Sequence, residues 1–109
     1  MKITQQSTDN TLTLALDGEL DASSSVLLDT ELTKPDVLKY QKVLIDCQKL
    51  NYISSAGLGV FISHLQQFQD AGVKLVFFNM QEKVHNVFEI LGLDALMTIV
   101  PSAVEASAI

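Results

Sequence analysis

The chain has 109 residues, enough for one compact domain with a single core, and residues 1–109 are read as one domain. Its 48% hydrophobic content argues against disorder, and no apolar run reaches the roughly 18–20 residues of a membrane-crossing helix, so direct membrane insertion is not expected. The net charge is −6 and all 7 cations are lysines, which disfavours nucleic acid, where arginine dominates phosphate and guanine contacts, and also an anionic membrane surface.

The amino-terminal stretch Met1-Lys2-Ile3-Thr4-Gln5-Gln6 turns polar too early for a secretory signal. Ile3 and its neighbours are expected to pair as a hairpin with Thr11–Asp17, through a turn at Asp9-Asn10. Thr11–Asp17 alternates strictly with period two, the signature of a half-buried strand, and Gly18 is expected to end it. Asp21 is placed to cap a helix over Ala22–Leu32, with Leu27, Leu28 and Leu32 turned inward and Pro35 as its stop. The early-helix run Ser23-Ser24-Ser25 helps to form that N-terminus, and Glu19 is expected to face water.

Lys42–Cys47, with its apolar run Val43-Leu44-Ile45, reads as a strand covered on both faces. Cys47 is the only cysteine, so it forms no internal disulfide. It fits a reducing cytosol and a cytoplasmic protein, as a buried small hydrophobe. Asp46 at the strand end reads as structural, or as a group that positions a loop or binds a cation. The chain then reaches Tyr52-Ile53-Ser54-Ser55-Ala56-Gly57-Leu58-Gly59, the junction with an amphipathic helix running to about Gln69. Leu58, Phe61, Ile62, Leu65 and Phe68 recur on one face of that helix. The serines therefore sit where the first N–H groups of a helix lack intrahelical partners. A hydroxyl there can cap them, and a phosphate would meet the positive end of the helix dipole.

Gly72 is placed to cap this helix, and Val73–Phe78 returns as a buried strand. Val84, Val87, Phe88 and Leu91 form the next helical stripe, closed by Gly92. Met97–Val100 is a last short strand stopped by Pro101, and Ser102 with Glu105 has capping-box spacing for a short terminal helix. Strands alternating with helices after an opening hairpin predict an α/β fold, a mixed, mostly parallel sheet flanked by helices.

Enzymatic motifs fail on their spacing. A nucleophile elbow around Ser55 needs glycine at position 53, which is isoleucine. A dinucleotide loop from Gly57 and Gly59 needs a third glycine at position 62, also isoleucine, and no phosphate-loop lysine follows. His64 and His85 read as surface or rim residues, and with Cys47 they show no zinc spacing. No catalytic residue, metal or cofactor is expected.

The ordered combination of Gly18-Glu19-Leu20-Asp21, Val43-Leu44-Ile45-Asp46 and Ile53-Ser54-Ser55-Ala56-Gly57-Leu58-Gly59 resembles the STAS domain of bacterial anti-sigma-factor antagonists. Ile90-Leu91-Gly92-Leu93 and Met97–Val100 follow in the same order, so the likeness covers nearly the whole chain. The resemblance implies a non-catalytic switch that binds an anti-sigma factor, often itself a serine kinase, while unphosphorylated, and so regulates transcription indirectly. Phosphorylation by that kinase weakens the complex and a serine phosphatase restores it. Matching the family pattern Asp-Ser-Ser/Thr-Gly on Gly57 carries the phosphoacceptor role onto Ser55. Asp21, Asp46, Ser54, Ala56, Gly57 and Leu58 join it as partner-binding positions. Ser54 stands where the pattern has aspartate, which removes a carboxylate and supplies Ser54 as an alternative acceptor. The competing expectation is a constitutive accessory subunit of a signalling scaffold or lipid-transport complex, in which Ser55 is never modified.

Overall fold

A computed structural model describes residues 1–109. Five strands, β1 (Lys2–Thr8), β2 (Thr11–Leu20), β3 (Lys42–Ile53), β4 (Lys74–Phe78) and β5 (Thr98–Val100), form one sheet in the order β1-β2-β3-β4-β5. Only β1 runs antiparallel to its neighbour. The helices are α1 (Ala22–Thr33), α2 (Ser55–Asp70), α3 (Glu82–Ile90) and α4 (Ala103–Ser107).

Because strand order follows chain order, crossovers of one hand place α1, α2 and α3 on the same face. Their inward residues Leu28, Leu32, Leu58, Phe61, Phe68, Val84 and Phe88 meet Val43, Ile45, Leu75 and Phe77 there. Phe77 is gripped from both sides, with its ring centroid 4.8 Å from Phe61 of α2 and 5.8 Å from Phe88 of α3. Alternate strand residues Leu44, Val76 and Phe78 point to the second face, where Ala106 of α4 covers them. Lys42 and Lys74 hold the carboxyl-terminal segment by donating to the carbonyls of Ser107 (2.6 Å) and Ile109 (3.1 Å).

The expected hairpin forms, with Asp9 at φ 50° in its turn, as do the left-handed glycines Gly72 and Gly92. Several boundaries differ. Gly18 does not end β2: it adopts φ 116°, and the strand continues to Leu20. β3 runs six residues past Cys47, and its 12 residues lie beside the 10 of β2. The two extra residues are accommodated as register shifts opposite Ala15–Asp17 and Gly18–Glu19. These bulges return Cys47, Leu50 and Ile53 to the core at three-residue steps, a spacing foreign to a regular strand. Burial pushes the Cys47 thiol well above its ordinary range, with the Asp46 charge adding to it. Leu27 and Ile62, expected inward, are 43% and 44% exposed, and so is Leu91 at 57%. His64, expected on the surface, is buried between α1 and α2, its Nε2 2.8 Å from Asp29 Oδ1. His85 is on the surface beside Glu89.

Candidate functional site

Two helix starts lie side by side at one end of the sheet. Leu20 and Ile53 are register partners at the ends of β2 and β3, and the Ser54 N–H donates to the Leu20 carbonyl at 2.8 Å. The next residue on each chain segment caps a helix.

At α1, the Asp21 carboxylate accepts from the Ser23 and Ser24 backbone N–H groups at 3.1 and 3.0 Å. The hydroxyls of Ser23 and Ser24 also lie within hydrogen-bond reach of it, at 2.8 and 3.0 Å. In return, the Asp21 N–H donates to Ser24 Oγ, which closes a capping box. The Ser24 N–H contributes most to holding the Asp21 carboxyl down from 3.8 to about 2, followed by the two serine hydroxyls. Asp21 is therefore a fixed negative charge at neutral pH. Ser25 is buried and donates to the Ala22 carbonyl at 2.7 Å, so all three α1 serines have partners.

At α2, Ser54 is the N-cap, its Oγ accepting from the Gly57 N–H at 3.2 Å. Ser55 is the first helical residue, exposed, with a hydroxyl that makes no hydrogen bond. Its N–H and that of Ala56 fall in the helix turn that has no intrahelical acceptors. Gly57 is buried because the chain passes directly over Leu20: a Cβ there would meet Leu20 Cγ at 2.6 Å and Cδ2 at 2.7 Å. Any side chain at this position would have to push Leu20 aside for α2 to start where it does.

The residues singled out by sequence thus divide. Asp21, Ser54, Ser55 and Ala56 gather at the paired helix starts, with Ser55 and Ala56 exposed. Gly57 and Leu58 are buried and shape the site from beneath. A partner cannot touch the Leu58 side chain without displacing α2. Asp46 is elsewhere: it lies mid-strand, eight residues before Ser54, on the order of 20 Å along β3. It accepts from the Gln48 N–H at 3.0 Å and lines a polar cleft of about 280 Å³ with Thr4, Asp17 and Lys49, near the sheet's second face. His64, nine residues along α2 from Ser55, is about 13 Å from it and is occupied by Asp29, so it is no base for that hydroxyl.

Val26 of α1 was not singled out by sequence and is 67% exposed; with Leu27 and Ile62 it gives the first two turns of α1 and α2 apolar side chains facing water. The signal was present in the run Val26-Leu27-Leu28, because three consecutive residues cannot share one helix face. Tyr52, at the end of β3, is half exposed beside the same junction.

This geometry coincides with a known family. The STAS domain model matches residues 2–106. BtrV of Bordetella bronchiseptica, provisionally named an anti-sigma factor antagonist, is 31% identical over 108 residues, covering 99% of this chain and 93% of the relative. The anti-sigma-B factor antagonist of Listeria monocytogenes is 27% identical over 99 residues, covering 91% of this chain and 86% of the relative. The Bacillus cell fate determinant SpoIIAA, solved in its phosphorylated form, superposes with a TM-score of 0.74 at 17% identity, over 98% of this chain and 97% of that one. The chain belongs to the STAS domain family. Its mixed five-stranded sheet flanked by helices is the STAS fold. No helix is long and apolar enough to cross a membrane.

Proposed function

We propose that this chain is a non-catalytic anti-sigma factor antagonist that binds its partner through the paired starts of α1 and α2, and that phosphate on Ser55 switches the binding off. One observation carries the choice of acceptor. Ser54 Oγ is committed to the Gly57 N–H, whereas the Ser55 hydroxyl is exposed and unbonded. Phosphate on Ser55 leaves the cap intact. Phosphate on Ser54 must rearrange it.

The electrostatics supports the direction of the switch. A phosphoserine adds about −1.5 to −2 charge beside the ionised Asp21 start, on a chain already at −6. The first-turn N–H groups stabilise that charge within the monomer. A partner's surface must instead desolvate it or oppose it, a penalty of a few kcal/mol that lowers affinity by roughly 10²-fold or more. The modified protein stays folded and loses its partner. An anti-sigma factor with serine kinase activity is the expected partner and a serine phosphatase the expected counterpart, in the cytoplasm.

The test is phosphosite mapping by mass spectrometry after incubation with ATP and lysate of the source organism. Stoichiometric phosphate on Ser55 is the expected result, and phosphate on Ser54 rejects the choice of acceptor. No phosphate on either serine, with active kinases demonstrated in the lysate, favours a constitutive accessory subunit. A Ser55→Asp protein that holds its partner as tightly as wild type removes the charge mechanism.

A further inference from the structure

Strand β3 outruns its neighbour. Its pairing with β4 ends at Asp46↔Phe78, and the rest of the strand, to Ile53, continues beside β2 alone. The start of α3 leans on this overhang, with Gln81 Nε2 donating to the Gln48 carbonyl at 3.0 Å. Between them is a notch of about 140 Å³, lined by Asn51, Tyr52 and Ile53 of β3 and by Lys83, Val84 and Val87 of α3. Four of these six are hydrophobic, and Tyr52 is half exposed. The notch has room for one side chain: an apolar cavity of about 150 Å³ holds a benzene ring.

The notch lies on the Ser55 side of α2. His64 marks the opposite flank of that helix, since it meets Asp29 of α1. α3 occupies the other flank, where Phe61 and Phe88 grip Phe77 between them. Ser55 precedes His64 by nine residues, about two and a half turns, so it points away from α1 and towards α3. Tyr52 and Ile53, which wall the notch, come just before it in the chain.

Charge selects what enters. Lys34 and Lys39 pair with carboxylates one turn away, and Lys42 and Lys74 hold carbonyls. Lys83 is exposed and has no such partner, although the chain carries −6. A free ammonium on a mostly apolar notch is complementary to an aliphatic side chain beside a carboxylate. We infer that the notch is an anchor socket for the anti-sigma partner, taking one leucine-like side chain whose neighbouring carboxylate pairs with Lys83. The inference rests on the binding role proposed above, and it carries the contact surface from the starts of α1 and α2 onto α3. It also gives the Ser55 phosphate a specific action: the phosphate opposes the partner's carboxylate and competes for the same lysine.

The test needs neither partner nor kinase. The probe is 4-methylpentanoate, which joins leucine's isobutyl group to one carboxylate, titrated into the full unphosphorylated chain and followed by amide NMR shifts. Saturable shifts centred on Tyr52, Lys83 and Val87 are expected, with a Kd of about 1–10 mM for so small a ligand. Val87→Phe fills the notch and should abolish saturation, with amide shifts elsewhere in the sheet reporting that the variant folds. Lys83→Gln and Ser55→Asp, both at exposed positions, should each weaken the carboxylate by about three-fold. Neither should change the binding of 4-methylpentan-1-ol, which has the same isobutyl group and no charge. Absence of saturation by about 50 mM, or saturation that survives Val87→Phe, overturns the socket. A carboxylate that binds Lys83→Gln and Ser55→Asp as tightly as wild type overturns the acidic occupant. Each of these failures leaves phosphorylation of Ser55 in lysate untouched, so the socket and the switch fall separately.

Discussion

The starts of α1 and α2 follow one plan and reach opposite chemical states. Each begins one residue after a strand end, and Leu20 and Ile53, the residues before the caps, are register partners. At α1 the third helical residue is Ser24, whose hydroxyl receives the Asp21 N–H and completes the capping box. At α2 the third helical residue is Gly57, where Leu20 leaves no room for a side chain. The α2 cap is therefore one-way, and the hydroxyl left over, on Ser55, belongs to no network. Of the five serines at the two starts, Ser55 alone has a hydroxyl without a partner, and the contrast can be tested by substitution.

The largest effect is expected where packing is tightest. Gly57→Ala gains about 1 kcal/mol of helix propensity but forces a methyl into fully buried Leu20, an overpacking cost of about 1–3 kcal/mol. The net expectation is a loss of up to about 2 kcal/mol in urea unfolding. Gly59, two residues on, has open space around it: a methyl added there meets nothing within 4 Å, so Gly59→Ala should stabilise by about 0.5–1 kcal/mol. If both glycines respond alike, close approach to Leu20 does not explain Gly57. Next in size is the cap itself: Ser54→Ala should cost about 1 kcal/mol, and Ser54→Asp should recover it because a carboxylate also accepts from the Gly57 N–H.

The two starts and the strands that lead to them were unequally legible in the sequence. Strict alternation over Leu12, Leu14 and Leu16 exposed β2, and the step from Asp21 into an apolar-periodic segment located the start of α1. The second half of β3 was illegible because its two bulges reset the period: Cys47, Leu50 and Ile53 face inward three apart. A strand then looks like its own end, and Asp46 looks like a terminal residue although it is mid-strand. Burial of His64 was hidden for another reason, since its partner Asp29 lies 35 residues away on α1. At the site, the serines and their helix start were readable, but which serine is the cap depends on where the lengthened β3 ends, and the contact of Gly57 with Leu20 is one no local pattern encodes.

Acid separates the two starts without mutation. The folded Asp21 carboxyl, at about 2, lies below its ordinary 3.8, so its contribution is fully present above pH ~4. It should be lost as pH falls from about 4 through about 2, because the unfolded chain takes up the proton first. Amide exchange at Ser23 and Ser24 should therefore accelerate over this window beyond the intrinsic pH trend. The Gly57 amide, capped by a hydroxyl that does not titrate, should show no such step. Equal acceleration at both starts would point to general acid unfolding instead of the Asp21 cap.

The smallest effect is the most discriminating. Ser55 lies exposed at the first helical position with no hydrogen bond to lose, so Ser55→Ala should change stability by less than about 0.5 kcal/mol. A serine that does cap, Ser24 of α1, gives the contrast: Ser24→Ala breaks the Asp21 N–H contact as well as the hydroxyl's approach to the carboxylate, and should be measurably more costly. Urea titrations of the two variants beside wild type read this difference directly. A serine that can be removed without loss of stability, at a helix start suited to anions, has been left available for chemistry. If Ser55→Ala instead unfolds as easily as Ser24→Ala, its hydroxyl has a structural partner in solution, and the contrast between the two starts disappears.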